Sequence, residues 1–420
     1  METPIFVHVD LQGHPRFVGR LWARSHKGKQ SATFEYDANW LEYAARFSLE
    51  PALEVGPGPF YTLPSRALFG AMGDSAPDRW GRVLMQRSER IQARAEGRSP
   101  HSLQEIDYLL NVNDESRQGA LRFSRQEGGP FLSDSPQEIP PLLELPTLLA
   151  ASEKLLAGED GNEDDHSAIR LLLAPGSSLG GARPKASVRG PGGHLMIAKF
   201  PHKEDTYPEM VWEALALTLA RKAGITVPTF RLKSMGKKNV LLLDRFDRHQ
   251  RERIPYLSGM SMLGAKDGER RSYMELVDVL RQYSASPQED MQELWRRIVF
   301  NVLISNVDDH LRNHGFLYRG VQGWRLSPAF DLNPVPRDVR PRILSTAITE
   351  NDFTASLEIA WEVAPYFELS ELQAGDIVRD VGAAVGTWRH EAMRQGLKAT
   401  EIARMSSAFE HEDARHARRS

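Results

Sequence analysis

Apolar and polar positions alternate with a strand-like period near the start of the chain and take up a helical period further on. Ile5-Phe6-Val7-His8-Val9 alternates loosely, Gly13 offers a turn, residues 17–22 read as a return strand, and residues 33–36 read as a third. Glycine and proline break the pattern over residues 51–60. The run Asp74-Ser75-Ala76-Pro77-Asp78-Arg79-Trp80 reads as a capped helix start leading into Gly81 to Met85. Residues 126–141, rich in Gly, Ser, Pro and acid, read as a linker or exposed loop. From about residue 144 the texture changes. A helix is predicted over 146–157, another before Leu171-Leu172-Leu173, strands over 185–189 and 195–200, a helix over 209–222 and a strand over 240–243. After Tyr256 the pattern is mostly helical, apart from a hairpin-like unit at 315–327. The expectation is an α+β chain in three parts: a β-rich part over 1–145, a mixed part over 146–248 and a helical part over 249–420.

Composition narrows the class. With 41% hydrophobic and 26% charged residues, the 420-residue chain has the profile of an ordinary soluble protein with room for a real core. No uncharged apolar run approaches the ~18 residues of a spanning helix, and the start Met1-Glu2-Thr3-Pro4 lacks the order of a signal peptide. The absence of cysteine excludes disulfides, thiolate metal sites and a cysteine nucleophile, and it fits a cytoplasmic location. A formal charge of −3 argues against a large nucleic-acid footprint. The basic tail Arg415-His416-Ala417-Arg418-Arg419 reads as a solvated end.

The chemistry concentrates in Asn306-Val307-Asp308-Asp309-His310-Leu311-Arg312-Asn313, which follows an apolar helix at 294–304. Phosphoryl transfer to a hydroxyl needs a carboxylate for the hydroxyl proton and oxygen ligands for magnesium on the phosphates. Kinases supply these from an Asp and an Asn five residues apart, the spacing of Asp308 and Asn313. A second carboxylate is expected after a short hairpin, and Phe330-Asp331 stands there. Oxygen donors without cysteine suit magnesium. Lys199, ending an apolar strand, is the candidate for the phosphates of ATP, steadied by Glu209 or Glu213 on the next helix. The loop of Gly180, Gly181, Ala182, Arg183, Pro184 and Lys185 is placed to wrap phosphates with its backbone N–H groups, and it is not a Walker motif.

These segments occur in the order found in HipA-like kinases, and the chain resembles that family over roughly residues 5 to 340. The resemblance rests on Ser-x-x-Gly-Ala-x-x-Lys from Ser178 to Lys185 and on Lys199-Phe200-Pro201. It rests also on Asp244-Arg245-Phe246-Asp247-Arg248, Asp308-x-His310-x-x-Asn313 and Phe330-Asp331. In the amino-terminal part, Asp74-x-x-Pro77-Asp78-x-Trp80-Gly81-Arg82 and Gly119-Ala120-Leu121-Arg122-Phe123 are similar to the family as well. It implies a protein-kinase-like bilobal fold, with the β-rich amino-terminal subdomain over 1–145, a small lobe over 146–248, a helical large lobe over 249–420, and ATP in the cleft between lobes. It implies that Asp308 is the catalytic Asp, that Asn313 and Asp331 hold magnesium, that Lys199 and His310 lie by the phosphates, and that Asp244, Arg245 and Phe246 form a hinge against adenine. Asp244 stands where a glutamate is common in the family. Ser178, with Ser177 beside it, matches the serine that some members phosphorylate on themselves.

The resemblance further implies a serine/threonine protein kinase that acts as the toxin of a toxin–antitoxin module. Its acceptor in the family is often an aminoacyl-tRNA synthetase, and its partner a small DNA-binding antitoxin, so that DNA is met only indirectly. A small-molecule kinase and a non-catalytic nucleotide-binding partner of a DNA-binding protein are the alternatives.

Overall fold

Ile5, Val7 and Val9 are all fully or almost fully buried, as a strand with one face on a core requires. They lie on β1 (Ile5–Leu11), which a turn at Gly13 joins to β2 (His14–His26), followed by β3 (Lys29–Tyr36) and the short β4 (Pro59–Tyr61). In the computed structural model the first sheet runs β4-β3-β2-β1-β5, all antiparallel. Its last strand, β5 (Leu121–Ser124), returns from far along the chain to pair Phe6 with Ser124 and Val9 with Leu121. The structure describes residues 3–134, 139–157, 163–173, 181, 183–250 and 252–418.

A second sheet has the order β6-β7-β9-β8, from β6 (Lys185–Arg189), β7 (Leu195–Lys199), β8 (Phe230–Met235) and β9 (Lys238–Asp244). Ala186, Val188, Met196, Ala198, Val240 and Leu242 share one core with Trp80 and Leu84 and with the helices Leu145–Ala157 and Glu163–Leu173. Alternation therefore turns Lys185, Ser187, Ile197 and Lys199 to the other face. The helix Arg79–Ala95 carries Trp80 and Leu84 into that core, and its cap is Asp78, whose Oδ1 accepts from the N–H of Gly81 at 2.8 Å.

The chain forms two compact units: residues 1–204 with 234–257, and residues 205–233 with 258–420. The divisions expected from the sequence lie at residues 145 and 248. The helix Glu209–Lys222 buries a mostly aliphatic face, and its Trp212 finds aromatic partners late in the chain. Trp212 packs against Trp388 and Phe409, which stack on each other with centroids 4.6 Å apart, and Lys222 meets Glu391 at 2.6 Å. The basic tail, read as a solvated end, is a helix, Glu412–Ala417, capped by His411 with Ala414 and Ala417 buried. Its close approach to Gly382, where a Cβ would lie 2.5 Å from the Ala417 carbonyl, depends on small residues on both sides.

The centre of the second unit is the helix Pro287–Ile304. Pro287 in its first turn and Glu289 and Asp290 just after it favour the start. Ser305, in the left-handed region at φ 53°, ends it and turns the chain into the loop 306–313. The expected hairpin follows as Gly315–Tyr318 and Trp324–Leu326. Buried Arg297 fixes its exit by donating to the carbonyl of Ser327 at 2.7 Å.

Candidate functional site

Each unit carries its own set of the residues singled out above. In the first unit, Lys185 and Lys199 are direct partners across β6 and β7, so their side chains share a face. Two like charges so placed repel unless one is matched. Lys185 is matched: its Nζ donates to Asp78 Oδ2 at 2.7 Å and to the Gly181 carbonyl at 3.1 Å, and its own carbonyl accepts from Trp80 Nε1 at 3.0 Å. It is 2% exposed. Asp78 thus caps a helix with one oxygen and neutralises a buried ammonium with the other. Lys199, the sequence candidate for ATP phosphates, is buried at the end of its strand. Gly181 has φ +97°, a conformation that favours glycine. Pro184 offers its carbonyl to the Phe200 N–H at 2.9 Å, and Arg183 is half-buried beside it. Ser177, Ser178, Gly180 and Ala182 lie outside the described residues.

The hinge motif was expected to meet adenine largely through backbone groups. The structure shows its arginines spent on packing. Arg245 is buried, donating through Nε to Asp247 Oδ1 at 2.8 Å and through Nη2 to the Arg117 carbonyl at 3.2 Å, while its N–H bonds the Leu195 carbonyl. Arg248 bridges the Gly119 carbonyl at 3.0 Å and Asp247 Oδ2 at 2.8 Å, and Oδ2 also accepts from the Gly119 N–H at 2.8 Å. Burial pushes the Asp247 carboxyl up, but Arg245 and Arg248 outweigh it and hold the group far below the usual carboxylate range. Two stretches 128 residues apart are therefore one joint, hydrogen-bonded to each other around the ion pairs of Asp247. Asp244 is half-buried with His194 Nε2 at 3.2 Å from its Oδ1, and Phe246 lies 6.3 Å from Tyr256 between ring centroids.

In the second unit the two adjacent aspartates have opposite fates. Asp309 is buried, and its Oδ2 collects Tyr273 Oη, Asn301 Nδ2 at 2.8 Å and His314 Nε2 at 3.0 Å. Burial pushes its carboxyl up, and the His314 ring, together with the bonds from His314 and Tyr273, more than reverses that, so it stays ionised as an anchor under the loop. Tyr273 is pushed well up by burial and by the Asp309 charge. Asp308 instead points outward, 55% exposed, with Arg340 Nη1 at 2.9 Å. Its carbonyl accepts from the His310 N–H at 2.9 Å and from Asn313 Nδ2 at 3.2 Å, which closes the loop around it. The side-chain oxygen of Asn313 is left as its remaining acceptor.

Asp331 adopts a left-handed backbone at φ 59°, rare for a residue with a side chain and the kind of local strain found at functional turns. Asn333 Nδ2 donates to its carbonyl at 3.2 Å and to its Oδ1 at 3.3 Å. The Asn333 N–H reaches Asn306 Oδ1 at 3.4 Å, Asn306 Nδ2 reaches Asn301 Oδ1 at 3.0 Å, and Asn301 reaches Asp309. A file of three asparagines therefore ties the turn at Asp331 to the loop at Asp308. Sequence reasoning named both ends and, of the three, only Asn306, as the first residue of its segment and without a role. Asn301 carried a signal, since it is an amide inside the apolar stretch 294–304. His310 and Phe330 are half-buried on their respective turns.

One carboxylate and one amide oxygen suit magnesium, which keeps much of its shell for water and phosphate oxygens. Among the described residues no group of three or more His, Cys, Asp or Glu is placed to hold a metal. Nor is any helix among them long and apolar enough to cross a membrane.

Comparison with known proteins agrees with this picture. The family described as "HipA-like C-terminal domain" matches residues 177–388, half of the chain. A Sinorhizobium fredii protein named Putative kinase Y4mE is 26% identical over 328 residues, which is 71% of each chain. A Haemophilus influenzae protein whose name is also of a kinase is 24% identical over 199 residues, covering 40% of this chain and 57% of that one. The Shewanella oneidensis toxin–antitoxin complex of HipA, HipB and its operator DNA contains a chain of the same fold, with a TM-score of 0.67 at 16% identity, covering 98% of this chain and 96% of that one.

Proposed function

The chain belongs to the HipA-like family, and on that premise we propose that it is an ATP-dependent kinase acting on serine or threonine hydroxyls of a protein. The observation that carries the reading is the division of labour between the two aspartates. A carboxylate that receives a hydroxyl proton must be reachable, and Asp308 is exposed on a loop that Asn313 closes from behind. Asp309, buried under three donors, serves as its foundation.

In the proposed step the acceptor oxygen bonds to the γ-phosphorus of ATP, the bond from that phosphorus to the bridging oxygen breaks, ADP departs, and the hydroxyl proton goes to Asp308. Lys199 binds the α- and β-phosphates of the nucleotide, and His310 lies beside them. Asn313 and Asp331 hold magnesium through their side-chain oxygens. Magnesium, when bound, offsets the negative charge of the phosphates. The hinge at Asp244 to Phe246 takes the adenine through its backbone, while its arginines stay in their joint.

The fold shared with the toxin–antitoxin structure supports a partnership with a small DNA-binding antitoxin, and through it an indirect link to DNA. The acceptor protein is proposed to be a translation component such as an aminoacyl-tRNA synthetase, with Ser178 or Ser177 modified by the chain itself.

The test is γ-labelled ATP with cell lysate, comparing the wild type with Asp308→Asn. The wild type is expected to put label into protein, and the variant to lose transfer by roughly 10²–10⁴-fold while still binding nucleotide. Equal labelling by both would remove Asp308 from the reaction.

A further inference from the structure

The Asp308 carboxylate meets one side chain among the described residues, and that side chain was named in no expectation. Arg340 Nη1 lies 2.9 Å from Asp308 Oδ1, and both groups are about half exposed, at 56% and 55%. An exposed pair of this kind adds little to stability, so its value must be sought elsewhere. Arg340 belongs to Pro334-Val335-Pro336-Arg337-Asp338-Val339-Arg340-Pro341, just beyond Asp331. The backbone of that segment is fastened. The Val335 N–H bonds the Ser305 carbonyl, the Arg337 N–H bonds Ser407 Oγ at 3.0 Å, and the Arg340 N–H bonds the Pro336 carbonyl at 3.2 Å. Arg342 is held by Asp413 at 2.6 Å and by the Val302 carbonyl at 2.9 Å. A guanidinium is thus delivered from an anchored turn onto one oxygen of Asp308.

We propose that Arg340 is a positioning residue for the acceptor step, holding Oδ1 so that Oδ2 of Asp308 faces the incoming hydroxyl. A carboxylate on a solvent-exposed loop samples several rotamers, and pinning one oxygen leaves the other with a fixed direction. The guanidinium also keeps a positive charge at the carboxylate before any acceptor arrives. The inference rests on the kinase reading of Asp308.

The experiment measures phosphoryl transfer from γ-labelled magnesium-ATP to water and to the chain itself, in wild type, Arg340→Ala, Arg340→Lys, Arg337→Ala and Asp308→Asn. Arg340→Ala is expected to lower kcat roughly tenfold, the scale of a small misplacement of a catalytic group, with the KM for ATP changed less than about twofold. Arg340→Lys, which restores a cation, is expected to recover most of the rate. Arg337→Ala, which removes a neighbouring exposed guanidinium without a bond to Asp308, should transfer at the wild-type rate. Because the pair is exposed, the melting temperatures of the Arg340 variants should match that of the wild type. Arg340→Ala at or above the wild-type rate, or a loss shared equally by Arg337→Ala, overturns the proposal while leaving Asp308 in place. If wild type and Asp308→Asn transfer equally, the kinase reading fails and this proposal fails with it.

Discussion

Replacing Asp78 by Asn isolates the charge of the buried pair with Lys185. The amide keeps an oxygen for the Gly81 N–H, so the helix cap, worth about 1 kcal/mol, survives. What is lost is the anion 2.7 Å from an ammonium that is 2% exposed and would retain only the Gly181 carbonyl. Breaking a buried pair on one side costs roughly 3–5 kcal/mol, and the lower figure suits a site where one neutral acceptor remains. About 3 kcal/mol corresponds to roughly 10²-fold in an opening equilibrium. Hydrogen exchange of the helix Arg79–Ala95, read by mass spectrometry on the full chain, reports that opening locally. Asp78→Asn should speed exchange of its core amides by roughly that factor. Asp78→Asn with Lys185→Met should return at least half of the loss, because a methionine needs no counter-charge. Protection within about 0.5 kcal/mol of the wild type for Asp78→Asn would refute the reasoning. The pairing with Asp78 would then not be what holds Lys185 in the interior.

Two further outcomes are expected. Lys199→Ala should weaken magnesium-ATP binding by roughly 10- to 100-fold, the value of a bond to a charged group, whereas Lys203→Ala, exposed in the loop beyond Pro201, should leave it unchanged; equal effects in calorimetry would mean that the buried strand end does not face the nucleotide. Glu50 is buried and accepts from the Ala71 N–H at 2.5 Å; burial pushes its carboxyl up to about 7, with the nearby Asp74 charge adding to the effect. The folded chain therefore keeps a proton that the unfolded chain has lost, so stability falls as pH rises from about 4.5 to about 7 and then levels. Glu50→Gln should remove that contribution, roughly 3 kcal/mol at pH 8, and a series of melting temperatures from pH 5 to 8 as steep as that of the wild type would reject the assignment.

Much of the local structure was legible because its signals are local. The strand at 185–189 and the helix at 209–222 fall on their predicted bounds, and the hairpin at 315–327 follows its glycine turn. Partners far apart in the chain were illegible. Asp78 and Lys185 were each noticed in a separate motif, 107 residues apart, with nothing in either to say that they bond. The same holds for Gly119 and Asp247. The outward turn of Asp308 against the inward turn of Asp309 depends on Tyr273 and His314, whose positions carry no periodic or motif signal. The left-handed Asp331 had no glycine to announce it. The tail exposes Arg415, His416 and Arg418 as a solvated end should, and only the helix that Ala414 and Ala417 seat went unread.

The joint between Gly119 and the Arg245-Phe246-Asp247-Arg248 stretch bears on how such chains can be recombined. Each side is useless to the other's counterpart in a differently built relative: a foreign amino-terminal segment would have to present the Ser116, Arg117 and Gly119 carbonyls at the same places, or leave guanidinium donors of Arg245 and Arg248 without acceptors in the interior. The amino-terminal segment and the hinge are thus inherited as a matched set. Chimaeras that exchange residues 1–124 alone should accumulate as insoluble protein, while those that carry residues 244–248 along with them should fold.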